Sequence, residues 1–262
     1  MKQRLYQKLQ KSEPYTREEL LWFLENIGHP EAEIRDDLVY ASFCHALLDG
    51  LVSKSDFRWL ADQVTQRHLL FFNMDKTGLA TLTRSFTALL MALLIGLDGD
   101  KQSAYCGALS IEQRQDFFRQ STDYLKEETD NTGWSDDYGW VHAFAHGAEF
   151  LLYASHHPDF SESYEEVWEV TTSILKKQPA IFTANEEKRL ATVISQLILQ
   201  EKITQEDLLN WVSKTNFPNV EPKDYLCWIN YQNFLMTIYL DLNQGHILEQ
   251  NLKEKIQKIC SL

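Results

Sequence analysis

The spacing of chain breakers constrains this sequence more than any other feature. Only 10 Gly and 6 Pro occur in 262 residues. Most of them fall in a few places: Gly28-His29-Pro30, Gly50, 73–78, 96–99, 131–139, His157-Pro158, Gln178-Pro179, 217–222 and Gly245. Between these breaks apolar residues recur at helical spacing, and strand-like alternation is nearly absent. A β-rich fold needs many more turns. The expected fold class is all-α.

The helical segments fall into pairs. First members are expected near 31–49, 79–97, 138–154, 185–200 and 223–242, and second members near 53–71, 110–127, 161–177, 204–214 and 246–260. An N-terminal helical stretch, 2–26, caps the series. Ser53, Ser110 and Thr204 stand where N-caps belong, with Asp56, Glu112 and Asp207 in the first turns that follow. First members recur every roughly 40 to 60 residues, the period of a HEAT- or armadillo-like α-solenoid. The expected architecture is an α-solenoid of about five helix pairs with the N-terminal cap, forming one domain over 1–262. No literal motif repeats, so an irregular helical bundle is the alternative.

Composition sets the outer limits. Apolar residues make up 44% and aromatics 12%, enough for a sizeable core. The net charge of −13 repels phosphate backbones and argues against a nucleic-acid partner. Lys253, Lys255 and Lys258 are interleaved with Glu249 and Glu254, as on a solvated helix face. Cys44, Cys106, Cys227 and Cys260 are scattered and form no CxxC pair, so neither a zinc finger nor a disulfide framework is suggested. The N-terminal segment has no apolar core of a leader. A cytoplasmic location is expected. The apolar run 88–97 is about half of the ~20 residues that a membrane span needs. It is expected to be a buried core helix.

One stretch carries the chemistry: Gly139-Trp140-Val141-His142-Ala143-Phe144-Ala145-His146-Gly147-Ala148-Glu149. Two histidines four apart on a helix share a face and can share a ligand, a proton or a metal. An acidic loop with Asp130, Asp136, Asp137 and Trp134 precedes them. The spacing suits two metal ligands, but Ala143 stands where the zinc-protease motif places Glu. Glu149 lies about two turns (roughly 10 Å) from His142, so Asp136, Asp137 or Glu187 would have to complete a metal site. No nucleotide-binding motif occurs, and the cofactor is left open, with a divalent metal at His142 and His146 as the one candidate.

The other first members also open on polar residues: Arg35, Asp36, Asp37 and Tyr40; Arg84 and Ser85; Glu186, Glu187 and Arg189; Asp224, Tyr225, Asn230 and Gln232. If these helices lie parallel, their opening turns converge on one concave groove. Helix N-termini favour anions there. A buried Arg84 needs a carboxylate partner, expected to be Asp36 or Asp37, or else it clamps an anionic ligand. Burial is less expected of Arg35 and Arg189.

The segments Ile34-Arg35-Asp36-Asp37-Leu38-Val39-Tyr40, Arg84-Ser85-Phe86-Thr87-Ala88-Leu89, Gly139–Glu149 and Glu187-Lys188-Arg189-Leu190-Ala191 resemble the bacterial domain of unknown function 2785 over roughly residues 20–200. The family pattern is similar to GW-x-H-x3-HG-x-D, and Glu149 stands here in place of the aspartate. The resemblance implies a bacterial all-helical protein and no mechanism.

Three functions remain in play. The first is a binding or scaffold module whose polar concave groove, lined by His142, His146, Glu149, Trp140, Arg84, Ser85, Arg35, Asp36, Asp37, Tyr40, Glu187 and Arg189, takes a peptide, a protein or a small anionic ligand. The second is a hydrolase-type enzyme with His142 and His146 as general base or metal ligands. The third is a structural polar core with the function elsewhere.

Overall fold

A computed structural model describes residues 1–260. The chain is mostly helical, with one two-stranded ribbon among the described residues. It divides into two compact units, the first Met1–Ser161 and the second from Glu162 onward.

The first unit contains α1 (Lys2–Lys8), α2 (Arg17–Glu25), α3 (Ala32–Ile34), a π-helical segment (Arg35–Tyr40), α4 (Ala41–Leu48), α5 (Lys54–Gln66), α6 (Leu79–Gly99), α7 (Ile111–Glu127), β1 (Trp134–Ser135), β2 (Gly139–Trp140) and α8 (Ala143–His156). The expected helix over 2–26 is broken in two. Thr16 starts α2 with a capping box, its hydroxyl accepting from Glu19 N–H while the Glu19 carboxylate accepts from Thr16 N–H. Buried Glu19 also accepts from Lys8 Nζ at 2.7 Å, which ties α1 back onto the start of α2. Ser53 and Ser110 cap α5 and α7 as expected, Ser110 through Gln113 rather than Glu112.

Helix α6 is the core of this unit. Leu82, Ala88, Leu90, Met91, Leu94 and Ile95 are fully or almost fully buried, and α4, α5, α7 and α8 all pack on it. It spans 21 residues, twice the apolar run that marked it in the sequence, and is long and apolar enough to cross a membrane. Its most apolar window is 72% buried inside the protein, which is how a core helix satisfies an all-round apolar surface. At Gly147, an added Cβ would come within 2.6 Å of Leu125 Cδ2 and 2.8 Å of Tyr124 Cε1. That glycine lets α8 sit close against α7.

The second unit holds α9 (Tyr164–Lys177), α10 (Glu186–Leu199), α11 (Gln205–Lys214), α12 (Tyr225–Gln244) and α13 (Gln250–Cys260). Helix α12 packs on α9, α10 and α13. Ser163 and Thr204 supply the caps of α9 and α11. Leu190, Ala191, Val193 and Ile194 of α10 and Phe234, Leu235 and Ile238 of α12 are fully buried, and the two helices pack on each other.

Candidate functional site

The expected helix over 138–154 begins later, at Ala143. The residues before it form a tight hairpin, with Trp134 opposite Trp140 and Ser135 opposite Gly139. Gly139 takes φ +74° at its turn, a conformation open to glycine at little cost. His142 therefore does not lie on the helix. It is the residue before it, in the left-handed region at φ 48° and ψ 36°. Its carbonyl still accepts the first helical hydrogen bond, from His146 N–H at 2.9 Å. The two imidazoles remain neighbours, 5.6 Å between centroids, but not by the shared helix face that their spacing implied.

An aromatic chain runs through this corner. Trp134 meets Trp140 edge to face at 4.8 Å, Trp140 stacks flat on His142 at 4.4 Å, and His146 meets Phe86 edge to face at 5.2 Å. Both tryptophans are exposed. The hairpin that carries them is anchored from below by Arg35, which is fully buried, contrary to the expectation for it. Its guanidinium pairs with Asp36 at 2.8 Å and donates to the carbonyls of His29, Tyr138 and Trp140. It also lies 4.6 Å over the Phe86 ring, a cation–π contact. All three of its nitrogens donate within the protein. For Asp36, burial pushes the carboxyl up more than Arg35 pulls it down. Asp37 is exposed.

Arg84 is fully buried, as a charge in an apolar helix had to be if paired, but its partner is Glu128 and not Asp36 or Asp37. The pair is two-pronged, Nε to Oε2 at 2.8 Å and Nη2 to Oε1 at 2.9 Å. The remaining donors go to the carbonyls of Phe72, Asn73 and Lys76 and to Thr81 Oγ1. Asp130 completes this clasp by accepting from Gly78 N–H, Thr81 Oγ1 and Thr132 N–H. Burial raises the Asp130 carboxyl, but the hydrogen bonds from Thr81 and Thr132 outweigh that and hold it below the usual range. The sequence reading joined Arg84 to the histidines. The structure instead turns it to the loops that precede α6 and follow α7.

Ser85, one residue on, faces the other way. Its hydroxyl donates to Val141 O at 2.5 Å and lies 2.7 Å from His146 Nδ1. A serine has one proton to give, so His146 Nδ1 is the donor in the second bond. That assigns the neutral ring its tautomer, with the basic lone pair on Nε2.

Beyond this corner three helices present aligned faces. Tyr40 meets Phe86 at 6.2 Å and Phe86 meets His146, so the π segment, α6 and α8 meet at this corner. Further along they enclose a cleft of about 480 Å³. Its floor is a half-buried stripe of α6, Leu89, Leu93, Gly96 and Leu97. One wall is Tyr40, Cys44 and Leu48; the other is Glu149 and Tyr153; Asp100 stands at the far end. Burial pushes up the Tyr40 phenol and the Cys44 thiol. Tyr153 is raised by burial first and by the Glu149 charge second. His45, next to Cys44, points away and meets the Tyr15 hydroxyl at 2.8 Å.

Of the expected site residues, the corner and cleft bring together His142, His146, Glu149, Trp140, Ser85, Arg35, Asp36 and Tyr40. Arg84 is turned away, and Glu187 and Arg189 belong to α10 of the second unit. There Glu187 is buried and Arg189 exposed. Cys44, Leu93, Asp100 and Tyr153 were missed. For Cys44 and Tyr153 the signal was the four-residue continuation of the faces already marked by Tyr40 and Glu149. Among the described residues no three His, Cys, Asp or Glu side chains are grouped so as to hold a metal ion.

A family model described as a protein of unknown function (DUF2785) matches residues 70–240. The match takes in Arg84–Leu89, Gly139–Glu149 and Glu187–Ala191, begins after Ile34–Tyr40 and runs beyond the extent judged from the sequence. Neither the curated proteins nor the solved structures contain a match. With well over half of its length covered by that family model, this chain belongs to the DUF2785 family.

Proposed function

We propose that this protein is a binding module whose ligand lies along α6 in the cleft between α4 and α8, with the His142–His146 corner at its head. The single observation that carries this reading is the half-buried stripe of α6. In the middle of a largely buried helix, Leu89, Leu93, Gly96 and Leu97 are left half-buried as the floor of a cleft of about 480 Å³. Ligand sites are concave, mostly apolar and edged by a few polar groups, and this lining matches that description. The guanidiniums of Arg35 and Arg84 are both taken up inside the protein, so neither is offered to an anionic ligand in this cleft. A peptide side chain or another apolar-bodied group fits better.

The experiment is a titration with N-phenylnaphthylamine, a neutral dye that brightens in apolar surroundings. Wild-type protein should enhance its fluorescence saturably, and Leu93→Trp, which fills the floor, should abolish the effect. No enhancement, or an equal one in Leu93→Trp, overturns the reading.

The alternative of an enzyme rests on one observation, the tautomer that Ser85 imposes on His146, which suits Nε2 as a general base. The finer architecture belongs here too. The packing of α6 on α4 and α8, and of α10 on α12, supports a solenoid-like stacking of first-member helices within each unit. A bacterial source and a cytoplasmic setting fit the family resemblance and the scattered thiols.

A further inference from the structure

The cleft's lining is one-sided in charge. It contains two carboxylates, Glu149 and Asp100, and no lysine or arginine among the described residues. Two phenols, Tyr40 and Tyr153, line the cleft together with Glu149, and aromatic rings attract cations through their faces. The Glu149 charge is close enough to both phenols to disfavour their ionisation. The floor between the carboxylates is aliphatic. The guanidiniums that could have balanced the acids are both sequestered, Arg35 under the hairpin and Arg84 in the Glu128 clasp. The chain as a whole carries −13, a field that draws cations towards its surface.

Resting on the reading of this cleft as a binding site, we infer that its ligand is an organic cation with an apolar body, an alkyl or arylalkyl amine, whose ammonium is held by Glu149 together with Tyr40 and Tyr153. A carboxylate offers about four lone-pair positions, so Glu149 accepts an ammonium N–H alongside its contacts within the protein. The apolar body lies on Leu89 and Leu93. The volume of about 480 Å³ is within the usual range for a small ligand, and holds a phenyl ring with a short alkyl arm.

The test uses three probes of one shape: phenylbutylamine, phenylbutanol and phenylbutyrate. Each displaces N-phenylnaphthylamine from the intact protein, with affinities confirmed by calorimetry. The amine should bind at least tenfold more tightly than the alcohol, and the carboxylate most weakly. Glu149→Gln keeps the shape and removes the charge, and should bring the amine to the affinity of the alcohol. Asp100→Asn, on an exposed residue, provides a second charge-removing variant should Glu149→Gln lose its helical circular dichroism, and should lower amine affinity by a smaller factor. Equal binding of amine and alcohol, both displacing the dye, overturns the cation while leaving the cleft in place. A preference for the amine that survives both substitutions overturns the assignment of these carboxylates. A protein that binds neither dye nor probes overturns the cleft and the inference together.

Discussion

Helices α8 and α10 both begin from a residue in the left-handed region, His142 at φ 48° and Asn185 at φ 65°. In both, a polar side chain on the next packed helix holds the preceding loop. Ser85 of α6 donates to Val141 O. Asn230 of α12 accepts from Phe182 N–H and donates to Ala180 O. There the likeness ends. The loop before α8 has two further anchors, Arg35 beneath the hairpin and the Arg84–Glu128–Asp130 clasp. The loop before α10 has Asn230 and the Glu186 carboxylate, which accepts from Ala184 N–H, and it leaves Glu187 Oε2 buried without a hydrogen bond. The heavily anchored loop displays two exposed tryptophans and carries a histidine; the lightly anchored one displays neither. Buried charge in the first unit fixes a surface in place, whereas the second unit only closes a helix end.

The largest expected difference comes from breaking the anchors. Arg84→Met strands Glu128 and should lower stability by roughly 3–5 kcal/mol, the range for a buried pair losing one partner. Asn230→Ala leaves one N–H and one carbonyl unsatisfied and should cost about 1–3 kcal/mol. Urea denaturation of both variants measures the contrast. Equal losses would mean that the two loops are held with equal strength after all.

Acid should act on the two regions in opposite senses. Asp130 is depressed in the fold, so its contribution is present above the unfolded value of about 3.9 and is lost as pH falls through the lower folded value. Glu187 is raised, by burial first and by the Glu186 charge as well. Its neutral form is the favoured one, so its contribution is full below the unfolded value of about 4.3 and is lost as pH rises through the folded one. Glu187→Gln should therefore stabilise at pH 7 and make little difference near pH 3. Asp130→Asn should destabilise at pH 7, by an amount that shrinks on acidification. Denaturation midpoints at the two pH values decide this, and a Glu187→Gln that destabilises at pH 7 breaks the contrast.

The smallest expected effects are at the two left-handed residues. Asn185→Gly should gain up to about 1 kcal/mol, since asparagine already tolerates that region and glycine relieves the rest. His142→Gly relieves similar strain but removes the ring stacked on Trp140, so the gain should be cancelled and the tryptophan emission should shift. An unshifted spectrum would show that the imidazole does not order the hairpin.

The helices were legible because their signals are local. Apolar periodicity, Ser53, Ser110 and Thr204 as caps, and the rarity of breakers all act within a few residues. The hairpin was not, because Gly133 to Gly139 looks like a loop and the pairing of Trp134 with Trp140 depends on the Arg35 guanidinium reaching the turn from 105 residues away. Arg84 announced that it was buried and paired, but its partner lies 44 residues off and could be chosen only with α7 in place. The burial of Arg35 was hidden for the same reason: three of its acceptors are carbonyls, which no side-chain pattern marks. The corner at His142 and His146 was found from the sequence, though for a reason that its left-handed backbone replaces.

The π-helical segment Arg35–Tyr40 has a consequence for how this molecule can change. In an ordinary helix residues five apart point about 140° away from each other. The wider i→i+5 turn lets Arg35 and Tyr40 reach the same Phe86 ring, at 4.6 Å and 6.2 Å. It works as a phase shift between two stretches of one rod. Residues before the shift are indexed to the hairpin, and Tyr40, Cys44 and Leu48 after it are indexed to the cleft. Substitutions on one side of the shift can retune the hairpin while those on the other reshape the cleft wall, so a single helix carries two independently adjustable surfaces.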